Sequence, residues 1–295
     1  MSSNPVQAAH YADRMQQIDA PVLLNHQMAR DTFLIRLAAP EIAASVVPGQ
    51  FVMARIAHLD DPLIGRALAV YNIGNDPLGN PATIDLVYIR KGKLTSSLSR
   101  AAIGSTVTIW GPLGNGFSSQ TCQHLIMVAG GIGQTPFVLL AQEALGLRSF
   151  PGRPAGWADR VTLIYGARTA ELLAGVADFQ ACGVDVRLCT DDGSRGSQML
   201  APELLAKMLR SEFAEAQSRS VVRVACCGPE IMMRRVAELC AQLAVRCEVS
   251  LETPMACGIG ICFSCVAKVR QAGGQWDYKR TCVEGPVFSA DKIDW

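Results

Sequence analysis

The chain has little net charge, no long basic run and no apolar stretch that continues unbroken. Its 27 lysines and arginines against 26 aspartates and glutamates leave a formal charge of +1. That lacks the electrostatic footprint of a nucleic-acid binder and leaves small molecules or proteins as the expected partners. The longest apolar stretch, Leu125 to Leu147, is interrupted by Gly130-Gly131, Gln134 and Pro136, so no membrane association through a continuous helix is expected. The opening Met1-Ser2-Ser3-Asn4-Pro5 is polar and unlike a secretory leader, so the 11 cysteines are expected as free thiols or ligands in a reducing cytoplasm. At 295 residues the chain exceeds one ordinary core and suits two or three domains.

Four of the cysteines form a set. Cys257, Cys262, Cys265 and Cys282 are spaced C-x4-C-x2-C with a distant fourth, the plant-type ligand spacing of a [2Fe-2S] cluster. Gly258 and Gly260 between the first two let the backbone wrap tightly and aim N–H groups at cluster sulfurs. A structural zinc site more often shows two C-x2-C-like pairs and seldom a four-residue first gap. The spacing therefore marks an electron carrier. Cys122, Cys182, Cys189, Cys226, Cys240 and Cys247 lie in apolar segments, where a thiol packs as a small hydrophobe.

Residues 1–19 carry no clear period and read as an N-terminal extension, a short helix or a mobile arm. From 20 to 118 short strands alternate with turns: Val22 to Leu24, Thr32 to Leu37, Gln50 to Ile56, Ala67 to Tyr71, Thr83 to Ile89 and Thr106 to Trp110. Pro48-Gly49, Gly74-Asn75 and Gly79-Asn80-Pro81 separate them, which predicts a small antiparallel barrel. From 119 to 248 the period changes. Strands at His124 to Ala129, Val161 to Tyr165, Val184 to Thr190 and Val221 to Cys227 alternate with helical patterns, one running on from Pro136 to Leu147 and others at Thr169 to Cys182, Gln198 to Leu209 and Pro229 to Leu243. That alternation predicts a parallel sheet covered by helices. Gly146 to Asp159 has no period and reads as a surface insertion, and residues 249–295 form the cysteine-bearing module.

Two strand-to-helix turns carry chemistry. In Gly130-Gly131-Ile-Gly133-Gln-Thr135-Pro136 the glycines permit close approach of a phosphate, with Thr135 suited to an N-cap and Pro136 to the first helical turn. This is not the G-x-G-x-x-G fingerprint, and a tight turn that merely joins strand to helix is the plain alternative. Cys226-Cys227-Gly228-Pro229 has the same strand-turn-helix setting, and two such turns in one parallel sheet open at its carboxyl edge, where ligands bind. Asp191 and Asp192 end a third strand, where their carboxylates either accept hydrogen bonds from a ribose or simply line a solvated Asp-Gly turn. In the barrel half, Arg66 precedes Ala67-Leu68-Ala69, and Tyr88 and Lys91-Gly-Lys-Leu-Thr95 follow one hairpin later. An arginine grips a pyrophosphate bidentately and Thr95 offers a hydroxyl.

Taken in order, Arg66 to Tyr71, Gly111-Pro-Leu-Gly-Asn-Gly-Phe117, Gly130 to Pro136, Cys227-Gly-Pro229, Met255-Ala-Cys257 through Cys265, and Cys282-Val-Glu-Gly-Pro-Val-Phe288 resemble the electron-transfer subunits of class 1B dihydroorotate dehydrogenases. The resemblance runs from about Pro21 to Phe288. It implies a multi-domain, ferredoxin-reductase-like fold of α+β and α/β parts: an antiparallel FAD-binding barrel, a parallel-sheet NAD-binding domain and a C-terminal [2Fe-2S] module. Carried over by position, Arg66, Ala67, Leu68 and Ala69 would lie along FAD, Val87, Tyr88 and Ile89 along its flavin or ribityl part, and Gly92, Leu94 and Thr95 at its pyrophosphate. Gly131, Gly133, Thr135, Pro136, Gly228 and Pro229 would line the NAD(H) site, with Cys227 beside the nicotinamide as the candidate catalytic residue. The family usually has proline where Ala67 stands and a Gly-Thr pair where this chain has Leu94-Thr95.

The function the resemblance implies is electron transfer between NAD(H), FAD and the cluster, to or from an FMN-bearing catalytic partner in a hetero-oligomer that makes orotate for pyrimidine biosynthesis. Two alternatives remain: the small subunit of an NADH-dependent ferredoxin:NADP oxidoreductase or sulfide-dehydrogenase-type complex, and a non-catalytic redox sensor. Some of the former place aspartate at the first cluster position, where this chain has Cys257, and a sensor predicts a defective nucleotide pocket. NADH is expected over NADPH because Asp191 and Asp192 would repel a 2′-phosphate, an expectation that Arg168 or Arg195 opposes.

Overall fold

The computed structural model describes residues 15–57, 61–271 and 273–295. The first half is a closed barrel of β1 (Gln16–Ala29), β2 (Thr32–Ala38), β3 (Phe51–Ile56), β4 (Arg66–Asn75), β5 (Pro81–Ile89) and β6 (Thr106–Leu113), ordered β1-β2-β5-β4-β3-β6. Two short helices, α1 (Pro40–Ser45) and α2 (Lys93–Leu98), accompany it. Its filling is aliphatic, with Val22, Ile35, Leu37, Val52, Ile84, Leu86 and Ile109 in one buried cluster. Gln16 to Asp19 belong to β1 and pair with Gly111 to Thr108, which corrects the expected extension at its last residues. Residues 1–14 of that extension lie outside the described residues.

The second half is a seven-stranded sheet of β7 (Cys122–Gly130), β8 (Ala158–Ala167), β9 (Asp185–Thr190), β10 (Ser197–Gln198), β11 (Val222–Cys227), β12 (Arg246–Ser250) and a late strand, Val287–Ser289, in the order β10-β9-β8-β7-β11-β12-late strand. It is parallel except at that last edge, where Val249 faces Phe288. The helices are α3 (Phe137–Ala144), α4 (Val176–Ala181), α5 (Ala201–Ser211), α6 (Ala216–Ser220) and α7 (Glu230–Gln242). The chain steps outward from β7 to β10 and then returns to place β11 on the other side of β7. The order thus reverses between β7 and β11, which makes the crevice above their carboxyl ends the ligand position of an open α/β sheet.

Two expectations change. The helix expected over Thr169 to Cys182 is broken into a 3-10 turn at Ala170–Leu172 and α4, with Gly175 between them at φ 71°. A side chain there would overlap the Tyr71 hydroxyl, which donates to Asp178 Oδ2 at 2.5 Å. The break lets the barrel reach the sheet domain. The 146–159 segment is a packed strap rather than a loose insertion: Phe150 and Trp157 are buried in the barrel and sheet cores, and Ala158 and Asp159 already belong to β8. Arg153 clamps the fully buried Glu143 through two bonds of 2.6 and 2.7 Å and donates to the Phe117 carbonyl at 2.7 Å.

The cysteine module adds a hairpin, β13 (Val266–Arg270) and β14 (Trp276–Arg280), and ends in the sheet-edge strand β15 (Val287–Ser289). It is therefore woven into both neighbours. Among the described residues no helix is long and apolar enough to cross a membrane.

Candidate functional site

Three sites converge on the junction of barrel, sheet and module. The first is an opening in the barrel wall. β4 pairs with β5 from Val70 opposite Leu86 onward, whereas upstream Arg66 to Ala69 pair with β3 and Val87 to Ile89 pair with β2. The two strands splay apart there, leaving main-chain N–H and C=O groups of both edges without a strand partner, and such groups seek a ligand or water. These are the residues the resemblance places along FAD. Their side chains divide: Arg66 and Ile89 are exposed and Ala67, Leu68 and Ala69 half-buried, while Tyr88 packs inward on Phe33 with ring centroids 6.1 Å apart. Tyr88 can offer main chain alone. Leu94 is likewise buried in the barrel core, and Thr95 caps α2, accepting from Lys91 N at 3.0 Å and Gly92 N at 3.1 Å.

The second site is a cleft of about 770 Å³ over the β7 and β11 ends, reaching to Ile89, Arg90 and Lys91 of the barrel. Gly130, Gly131, Ile132, Gly228 and Pro229 line it, whereas Gly133, Thr135 and Pro136 are buried behind the wall. Thr135 follows a 3-10 turn, Gly131–Gln134, and makes no side-chain cap; Pro136 is the residue before α3, one place earlier than expected. Gly133 has another task. A Cβ there would stand 2.5 Å from the Cys227 carbonyl carbon and 2.7 Å from Gly228 N, so the two turns touch through it. Cys227 is half-buried, and burial together with the Glu252 carboxylate pushes its thiol up to about 12, keeping it a neutral S–H near pH 7. Asp191 faces the cleft; the Asp192 carboxylate is instead taken by Ser194, from N at 3.0 Å and Oγ at 2.6 Å. Sequence reasoning missed Tyr165, Arg235 and Glu252 on the cleft wall. Tyr165-Gly166 had the needed sign, a glycine closing an apolar strand.

The third site is the thiol set. Cys262 is exposed, Cys257 half-buried, and Cys265 and Cys282 buried. They stand as two pairs in hydrogen-bond contact, Cys257 with Cys262 and Cys265 with Cys282. Among the described residues no three such side chains gather round one point. A tetrahedral zinc asks for four convergent ligands, whereas a two-iron cluster asks for two thiolates at each iron, so the donor set fits the cluster. The Ser264 hydroxyl, 3.1 Å from Cys262 Sγ, holds that thiol down to about 6. One shared proton lowers Cys265 to about 6 and raises Cys282. Ile259 N donates to Cys257 Sγ at 3.4 Å across the turn that Gly258 and Gly260 make at φ 75° and 79°.

The module is seated on β3 and β6, beside the splayed wall. Trp110 Nε1 donates to the Cys257 carbonyl at 2.9 Å, and Gly258 lies so close to Met53 and Leu113 that a Cβ would stand 2.6 and 2.9 Å from them. Cys265 and Cys282 share one apolar cluster with Phe51, Met53 and Leu113, and Ala67 packs against it.

Comparison with known proteins follows the same division. A family model described as the iron-sulfur cluster binding domain of dihydroorotate dehydrogenase B matches residues 252–294. The electron transfer subunit of dihydroorotate dehydrogenase B (NAD(+)) from Desulforamulus reducens is 35% identical over 278 residues, covering 94% of this chain and 98% of that one. Its counterpart from Bacillus caldolyticus is 31% identical over 269 residues, covering 90% and 94%. Among solved structures, the NADH-dependent reduced ferredoxin-NADP oxidoreductase studied for flavin-based electron bifurcation matches with a TM-score of 0.75 at 26% identity, over 94% of this chain and 90% of that one.

Proposed function

This chain belongs to the electron transfer subunits of dihydroorotate dehydrogenase B, and from that premise we propose that it relays electrons between NAD(H) and a separate FMN-bearing subunit that interconverts dihydroorotate and orotate. It is the redox subunit of an oxidoreductase, with FAD and a [2Fe-2S] cluster as its resident groups. Bound together, these two groups exchange a hydride with nicotinamide on one side and single electrons on the other. The observation that carries the reading is Ala67, which borders the open barrel seam and packs on the cluster holding Cys265 and Cys282.

The chain's own residues supply position. The edges at Arg66–Ala69 and Val87–Ile89 hold the flavin, with Arg66 available to its pyrophosphate and Gly92 to Thr95 opening the helix beside it. Gly130–Ile132 and Gly228-Pro229 seat the dinucleotide in the cleft, and Cys227, one residue before that wall, is a neutral thiol that adds no charge there. Cys257, Cys262, Cys265 and Cys282 ligate the irons. Exposed Ile261 and Phe263 flank Cys262 on the outer face, an apolar rim suited to the partner subunit at the point where electrons leave.

Cys262→Ser tests the cluster: it should abolish the visible iron-sulfur absorption while FAD stays bound and reducible by NADH. Copurification tests the partner. An FMN-bearing companion that lets dihydroorotate reduce NAD(+) through this chain is the expected result. A companion indifferent to dihydroorotate, with activity toward ferredoxin and NADP, would instead favour the role of the oxidoreductase this chain matches at a TM-score of 0.75.

A further inference from the structure

The outer turn of the thiol set is strained. Among the described residues three non-glycine positions take positive φ, and Phe263, at φ 55°, is the largest of them. A bulky side chain adopts that backbone only where its surroundings enforce it. Here the Arg280 guanidinium lies 5.1 Å from the centre of the Phe263 ring, and Arg280 is itself fixed to the Gly260 carbonyl at 3.0 Å and to Glu284. The turn so held folds Ser264 back on the chain. Its Oγ stands 3.1 Å from Cys262 Sγ and accepts from Ala256 N at 3.3 Å, so one hydroxyl touches a thiol and the residue before another, Cys257. Main-chain donors also serve the set, as Ile259 N does for Cys257 Sγ at 3.4 Å, but those persist whatever side chain stands at 264. Cys262 and Ser264 are both exposed, on the face that carries Ile261 and Phe263.

A cysteine that ligates iron is a thiolate, which can only accept, so the Ser264 hydroxyl is the donor in this pair. Reduction adds negative charge that the ligand sulfurs share, and a hydrogen bond donated to sulfur favours the more negative state. We propose that Ser264 tunes the electron step. Its hydroxyl, aimed at Cys262 by the strained Phe263 turn, raises the potential of the group the four cysteines hold and so draws electrons off the flavin toward the outer face. The proposal rests on the [2Fe-2S] reading above and adds the side chain that sets the step. Ligation itself does not need Ser264, since the four thiols complete the donor set without it.

The test is an anaerobic redox titration of the chain loaded with FAD and iron, with the reduced cluster followed by electron paramagnetic resonance and the flavin by absorbance. Ser264→Ala and Ser264→Val should both lower the cluster midpoint, shifting the electron equilibrium about tenfold toward the flavin, which is about 59 mV for one electron. Ser264→Thr has the shape of the valine variant with the hydroxyl kept, and should stay at the native value. The flavin midpoint and the rate of flavin reduction by NADH should be the same in all four proteins. Unchanged cluster midpoints in Ser264→Ala and Ser264→Val would overturn the proposal, as would a Ser264→Thr variant shifted as far as Ser264→Val. Loss of iron from Ser264→Ala and Ser264→Val while Ser264→Thr loads normally would make Ser264 a brace for assembly, and would also overturn the tuning role. A native chain that holds no iron removes the cluster itself, a result distinct from any of these.

Discussion

Gly133 shows what one side chain can decide. The turn after β7 and the turn after β11 touch where it has no Cβ, and a methyl there would overlap the Cys227 carbonyl oxygen. Gly133→Ala is expected to lower the urea midpoint by the equivalent of about 1–3 kcal/mol, the usual cost of overpacking, and to weaken NAD(+) binding by spreading the two turns. Gly131→Ala meets no atom within 4 Å, although it must adopt φ 55°, and should leave the cleft intact at a smaller cost. The comparison is read by denaturation and titration on the same pair. The sequence marks this stretch as glycine-rich without saying which glycine faces ligand. Gly130 and Gly131 face the cleft and Gly133, Thr135 and Pro136 lie behind it, because backbone approach, not residue type, sorts them. The four cluster cysteines were legible for the opposite reason: coordination fixes their spacing in the chain itself.

At the level of elements, the presence and type of strands follow from pattern, and their order in the sheets and the joins between elements do not. All six barrel strands and the four central strands β7, β8, β9 and β11 of the sheet answer to alternation and to apolar runs, whereas the edge strands β10, β12 and β15 were not read from the sequence. The strap at 146–159 had no period because its order comes from tertiary contacts, Phe150 in the barrel core and Arg153 on the Phe117 carbonyl and on the buried Glu143. Arg153→Ala strands that carboxylate and should cost about 3–5 kcal/mol in chemical denaturation. Arg153→Ala together with Glu143→Gln should recover part of the loss.

A second element-level network crosses β7, β8 and β9. His124 Nδ1 accepts from Arg160 Nη2 at 3.0 Å, so its Nε2–H donates to Thr162 Oγ1 at 2.8 Å. Burial first, and the Arg160 charge second, lower its pKa to about 4 from an ordinary 6.5. The unfolded chain therefore takes up a proton that the native ring refuses. Stability should fall as pH drops from about 6.5 toward 4, by at most about 3 kcal/mol, and level off below. Urea midpoints across that range should show the slope, and His124→Asn should flatten it.

For the whole molecule, the arrangement of three parts matters more than any one of them. Tyr71 reaches from the barrel to Asp178, the 146–159 strap packs into both cores, and the cysteine module sits on β3 and β6 before closing the sheet as β15. None of these joins has a local signature, since each pairs residues more than a hundred positions apart or inserts one part into another. Their joint effect is to hold the barrel seam between the cleft, which Ile89 lines, and the thiol pairs, against whose apolar cluster Ala67 packs. That arrangement is the central claim, and anaerobic titration with NADH tests it directly, followed by flavin absorbance and by electron paramagnetic resonance on the same sample. The account predicts two irons and one flavin per chain, with flavin bleaching and a reduced-cluster resonance growing in together without any partner protein. Zinc in place of iron, or a flavin that bleaches while the cluster stays oxidised in the presence of excess NADH, would contradict it.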